Sequence, residues 1–143
     1  MDRLPANILV FETPEQMAQA AAARFVEHAS SSIASHGIFR VALSGGSTPK
    51  RTYQLLAAEP FKSSIAWHRV HIFFGDERDV PHDHPESNYR MALEALISHV
   101  SIPPENVHLV AGEGAVLGHC AIHVLFPILQ KFSRPHKTEC SRK

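Results

Sequence analysis

The sequence predicts an α/β fold: a parallel, Rossmann-like sheet with flanking helices, incomplete on its C-terminal side. Three observations carry that expectation. Short apolar runs alternate with longer segments of helical periodicity, the pattern of strands joined by crossover helices. The helical segments are bounded by start and stop residues. The alternation then fades after about residue 112, where a short apolar patch gives way to a basic, polar end.

Each element follows in order. NILVF at 7–11 is a short apolar run closed by Glu12, Thr13 and Pro14, as expected of a buried strand. Thr13, Pro14 and Glu15 then offer an N-cap, a first-turn proline and an early acid. Met17, Ala21, Phe25 and Ala29 recur at helical spacing up to Gly37, a suitable C-terminal stop. FRVAL at 39–43 reads as a second strand, and KRTYQLLAAE at 50–59 as a second helix ended by Pro60. RVHIFF at 69–74 is a third strand. NYRMALEALISHV at 88–100 is a third helix, with Met91, Leu93, Leu96 and Ile97 apolar, and NVHLV at 106–110 is a fourth strand. Residues 1–130 are therefore expected to form one domain, and residues 131–143, which lack periodicity, a disordered tail.

A chain of 143 residues, 44% hydrophobic, is long enough to bury a real core. Fourteen basic and 14 acidic residues cancel, so no broad field attracts nucleic acid or an acidic membrane. Any bound anion needs a local site. Cys120 and Cys140 form no CxxC pair, no leader pattern opens the chain, and no run approaches the ~20 apolar residues of a membrane span. A cytoplasmic protein is expected. The 11 histidines are scattered, and His82, Asp83 and His84 share a loop without an evident third ligand, so no metal is expected.

Two loops carry the chemistry. In an open parallel sheet, ligands bind beyond the carboxyl ends of the strands. The segment Ser44-Gly45-Gly46-Ser47-Thr48-Pro49 occupies such a place, between strand 39–43 and helix 50–59. Gly45 and Gly46 can take positive φ and bring main-chain N–H groups close to an anion. Ser47 or Thr48 can cap the helix, Pro49 suits its first position, and the helix N-terminus attracts phosphate. The spacing is neither a Walker loop nor a G-x-G-x-x-G fingerprint, so a plain strand-to-helix turn stands beside the phosphate reading. The second loop, GDERDVPHDHPES at 75–87, starts where strand 69–74 ends. There Arg78 can pair with an anion while a neighbouring carboxylate such as Asp76 orients hydroxyls; a solvated turn explains any single charge.

Together, VALSGGSTPKRTY and FFGDERDVPHDHPESNYRMA closely resemble the 6-phosphogluconolactonase family, within the superfamily that includes glucosamine-6-phosphate deaminase. IPPENVHLV at 102–110 fits the same pattern, and the resemblance spans roughly residues 5 to 112. The deaminase branch looks more like S-T-G at the first loop and M-D-E-Y at the second. Ser44-Gly45-Gly46-Ser47 and Gly75-Asp76-Glu77-Arg78 favour the lactonase branch.

The resemblance implies hydrolysis of 6-phospho-D-glucono-1,5-lactone to 6-phospho-D-gluconate in the oxidative pentose phosphate pathway, with a sugar phosphate as the partner and no metal or organic cofactor. Ser44, Gly45, Gly46, Ser47, Thr48 and Arg78 would hold the phosphate, and Asp76 would position water or a sugar hydroxyl. The family takes its general base from a later D-G-H-T-A-S-L-F-P motif. Here LGHCAIHVLFP at 117–127 echoes it faintly, making His119 the candidate base, although Leu117 stands where Asp would be and two extra residues intervene. Three readings stay open: a lactonase, a sugar-phosphate-binding module without the base, and, less favoured by Asp76-Glu77-Arg78, a sugar-phosphate isomerase or deaminase. A truncated sheet is also expected to leave an edge through which the chain self-associates.

Overall fold

The computed structural model describes residues 8–109 together with 123 and 124. The chain enters a long helix α1 (Pro14–His36), strand β1 (Phe39–Leu43), helix α2 (Ser47–Leu56), strand β2 (Val70–Phe74), helix α3 (Asn88–Ala95) and a two-residue strand β3 (His123–Val124). Single 3₁₀ turns at Lys62–Ser64, Trp67–Arg69, Ile97–His99 and Pro104–Asn106 fill the connections. The strands run parallel in the order β2-β1-β3.

Register explains the layering. β1 pairs with β2 from Phe39↔Val70 to Leu43↔Phe74. Because side chains alternate across a strand, Phe39, Val41, Leu43, Val70, Ile72 and Phe74 share one face. That face is buried with Phe25 of α1, Tyr53 and Leu56 of α2, and Ala92 and Leu96 around α3. Phe25 meets Phe39 edge to face at 5.3 Å and Trp67 at 6.1 Å. Alanines 18, 21, 22 and 29 form the buried stripe of α1. The opposite face carries Arg40, Ala42, His71 and Phe73, with the His108 ring stacked 4.4 Å from Phe73.

The start and stop residues of α1 behave as read. Thr13 accepts from the Gln16 N–H at 3.2 Å, and Gly37, at φ 80°, donates its N–H to Ile33 O at 2.9 Å.

Several expectations need correction. Residues 8–11 of the proposed first strand are not in the sheet, and Ile8, Leu9 and Val10 are exposed at 64%, 51% and 80%. They do not pair with β2, whose outer edge is met by Val107, which bridges Ile72, with the His108 N–H donating to Ile72 O at 2.8 Å. The proposed fourth strand thus reduces to that bridge within the described residues. The third helix stops at Ala95 rather than residue 100. Leu96 leaves helical geometry and is wholly buried, while Ser98 Oγ and His99 Nε2 engage the freed carbonyls of Leu93 and Glu94 at 2.7 and 2.9 Å. The pairing of β3 with β1 was not legible in the sequence. Residue 119 and the proposed tail at 131–143 lie outside the described residues.

Candidate functional site

The first loop leaves β1 at its carboxyl end. Ser44 is pinned by both main-chain groups: the Tyr53 hydroxyl accepts from the Ser44 N–H at 3.0 Å and donates to Ser44 O at 2.9 Å. Tyr53 comes from α2 and is almost wholly buried, and burial pushes its phenol up to about 12, so it stays neutral and keeps its donor proton.

Gly45 and Gly46 then serve different purposes. Only Gly46 takes positive φ, at 109°; it is the N-cap residue of α2. Gly45 is needed for closeness instead, since a Cβ there would overlap the carboxamide of Asn88. Helix α2 begins at Ser47, three residues earlier than the periodicity suggests, so Ser47 and Thr48 lie inside its first turn and neither caps it. Pro49 occupies the third helical position, where an N–H would also lack an intrahelical partner. Among the described residues no side chain caps this helix, unlike Thr13 at α1 and Ser87 at α3.

The second loop leaves β2, with the Gly75 N–H donating to Leu43 O at 2.9 Å. Its organising group is Glu77. Oε1 accepts from the N–H groups of Arg78 and Asn88, both at 2.7 Å, and Oε2 accepts from the Tyr89 N–H at 2.9 Å and the Ser87 hydroxyl at 3.3 Å. Partial burial disfavours the charge, but these donors outweigh it and hold the Glu77 carboxyl below its ordinary range. Ser87 caps α3 through the Arg90 N–H at 3.2 Å. Asn88 turns its amide back, Nδ2 donating to Asp76 O at 3.1 Å.

Between the loops lies a cleft of about 340 Å³, whose lining includes Gly46, Ser47, Lys50, Arg78, Asn88 and Met91. Lys50 and Arg78 are both exposed and form no ion pair among the described residues, whereas Arg51 is paired with Glu15 and Arg90 with Glu94, each at 2.7 Å. Two cations, a hydroxyl and an uncapped helix N-terminus therefore converge on one space suited to an anion.

Of the residues singled out by sequence, Gly46, Ser47 and Arg78 line this cleft. Ser44, Gly45 and Thr48 are half-buried and do not line it, although Gly45 packs against Asn88 of its wall. Asp76 is exposed at the end of β2 and its carbonyl is tied to Asn88, but it does not line the cleft. His119 lies outside the described residues. Sequence reasoning missed Lys50, Asn88 and the anchoring roles of Tyr53 and Glu77. Lys50 was detectable, standing one turn beyond Ser47; Asn88 and Tyr53 act through contacts 43 and 9 residues away, which no local pattern reports. Among the described residues no group of three or more histidine, cysteine or acidic side chains could hold a metal, and no helix is long and apolar enough to cross a membrane.

A parallel α/β sheet with a cleft at the carboxyl ends of its strands is the general class of open α/β fold in which ligands bind at that end. The family is specific: residues 12–127 match the family described as glucosamine-6-phosphate isomerases/6-phosphogluconolactonase, and the chain belongs to it. It is 37% identical to the 6-phosphogluconolactonase of Haemophilus influenzae over 107 residues, covering 75% of this chain and 44% of the relative. A 6-phosphogluconolactonase of Nostoc is 49% identical over 78 residues, covering 54% of this chain and 31% of the relative. Among solved structures, 6-phosphogluconolactonase from Trypanosoma cruzi superposes with a TM-score of 0.61 at 39% identity, over 71% of this chain and 38% of that one. The Trypanosoma brucei enzyme gives 0.65 at 31%, over 81% and 45%. The chain thus spans less than half the length of these relatives. A monomeric glucosamine-6-phosphate deaminase, at 20% identity and TM-score 0.61, shares the fold.

Proposed function

We propose that the cleft seats the phosphate of 6-phospho-D-glucono-1,5-lactone and that the chemistry of this chain is hydrolysis of that lactone to 6-phospho-D-gluconate. The observation that carries the reading is the open N-terminus of α2 facing a cleft lined by Ser47, Lys50 and Arg78. A helix N-terminus stabilises an anion by about 0.3–1 kcal/mol when exposed, and charge-assisted hydrogen bonds from two cations add to it. Family membership and the names of the relatives point to the same substrate.

In this reading the N–H groups around Gly45, Gly46, Ser47 and Thr48 and the side chains of Arg78 and Lys50 grip the phosphate, and Ser44 holds the loop through Tyr53. Asp76, exposed just beyond β2, orients a sugar hydroxyl or the attacking water. His119 takes a proton from that water as its oxygen adds to the lactone carbonyl carbon; the bond from that carbon to the ring oxygen then breaks, and the proton passes to the departing oxygen. Gripping the remote phosphate contributes by fixing the carbonyl relative to the base.

The test is a titration of the folded, isotope-labelled chain with 6-phosphogluconate. The amide signals of residues 45–48 are expected to move, while gluconate, lacking the phosphate, leaves them in place. A well-folded sample in which 6-phosphogluconate moves none of them overturns the reading. A second reading, a sugar-phosphate-binding module without turnover, is favoured by one observation: no histidine is among the described residues lining the cleft. Binding without hydrolysis, unchanged by His119→Ala, would select it.

A further inference from the structure

Glu77 lines no part of the cleft, yet three of the residues that line its second wall are hydrogen-bonded to it. Its two oxygens meet four donors: Arg78 N–H and Asn88 N–H at 2.7 Å, Tyr89 N–H at 2.9 Å and Ser87 Oγ at 3.3 Å. Arg78, Ser87 and Asn88 are themselves cleft residues. Asn88 extends the connection in two directions, donating to Asp76 O at 3.1 Å and packing so closely on Gly45 that no Cβ fits there. One carboxylate thereby joins the two loops, because the residue it anchors at the head of α3 is the one that touches the glycine turn. The Arg78 guanidinium is exposed and without an ion-pair partner among the described residues, so its direction depends on the main chain beneath it.

We propose that Glu77 is a positioning residue for anion binding: by clamping the Arg78 and Asn88 amides it sets where Arg78 faces the cleft and how closely the Asp76 loop approaches Gly45. This rests on the phosphate-binding reading above. Glutamine at this position keeps the size but presents an NH₂ group to donors that need an acceptor, so the clamp is half lost. Aspartate keeps the charge but withdraws it by one methylene.

A double-mutant cycle on the full chain tests the proposal, with Glu77→Gln, Arg78→Ala and the pair titrated with 6-phosphogluconate by calorimetry. Amide spectra and thermal unfolding confirm that each variant is folded. Glu77→Gln is expected to weaken binding at least about tenfold, and the double variant to fall short of the product of the single effects by at least about fivefold, since both act through the same guanidinium. A solely structural role would lower thermal stability while leaving the effects on affinity independent. If Glu77→Gln does not fold, Glu77→Asp enters the same cycle and is expected to show a smaller loss with the same coupling. Wild-type binding with a folded Glu77 variant of unchanged affinity, or with effects that simply multiply, overturns this proposal and leaves the cleft standing. A folded wild-type chain that binds no 6-phosphogluconate overturns both.

Discussion

At the residue scale, the glycine turn is a case of two adjacent glycines with unrelated reasons to be glycine. Gly46 needs the left-handed region to open α2, while Gly45 needs the absence of a side chain because the Asn88 carboxamide fills that space. Gly45→Ala therefore forces Asn88 from its bond to Asp76 O, and overpacking of this kind costs about 1–3 kcal/mol. Chemical denaturation is expected to show that loss, accompanied by weaker binding of 6-phosphogluconate; a variant as stable as the wild type would mean that the two loops are not in contact. Tyr53 is the complementary case, a buried phenol whose single hydroxyl satisfies both main-chain groups of Ser44 and so fixes where the turn departs from the sheet. Its chemical role is to be neutral, which burial ensures.

At the scale of elements, helix ends decide the layout of the site. Helix α1 is capped by Thr13, and α3 by Ser87 with Glu77 reinforcing its first turn, but α2 is left open toward the cleft. A fully capped α2 would be the more stable helix and the poorer anion site. The join between the second loop and α3 has a pH signature. Because the Glu77 carboxyl titrates below its ordinary range in the folded chain, its contribution is present above the unfolded value of about 4.3 and is lost as pH falls through the folded value. The stability difference between wild type and Glu77→Gln, followed by thermal unfolding from pH 7 downward, is thus expected to narrow below about pH 4. A difference that stays constant across that range would show that the charge is not what the loop needs. The capping serine can be read separately: Ser87→Ala is expected to cost about 1 kcal/mol by the same measurement, the usual value of a lost N-cap.

At the scale of the whole molecule, the helices α1, α2 and α3 share the core with one face of the sheet, and both loops emerge from the same end of β1 and β2. That common end places residues 44–50 against residues 76–91 although the sequence separates them. The chain spans 44% of the Haemophilus influenzae relative, and the base proposed for the reaction lies outside the described residues. Hydrolysis of the lactone by this chain, followed by the disappearance of substrate against its spontaneous opening, is expected to be weak and to be abolished by His119→Ala; strong turnover that survives His119→Ala would place the base elsewhere. The sequence by itself determined the parallel α/β class, the ends of α1, the two strands at 39–43 and 69–74 to within a residue, and both loops with their family pattern. These depend on local periodicity, caps and turn residues, which neighbouring positions encode. Only the tertiary structure decided that the run at 8–11 stays outside the sheet, that Gly45 abuts Asn88, that Tyr53 holds Ser44, and that Glu77 binds the second loop to α3. Those outcomes turn on which segments pair and which side chain arrives from a distant segment, and a one-dimensional pattern has no term for either.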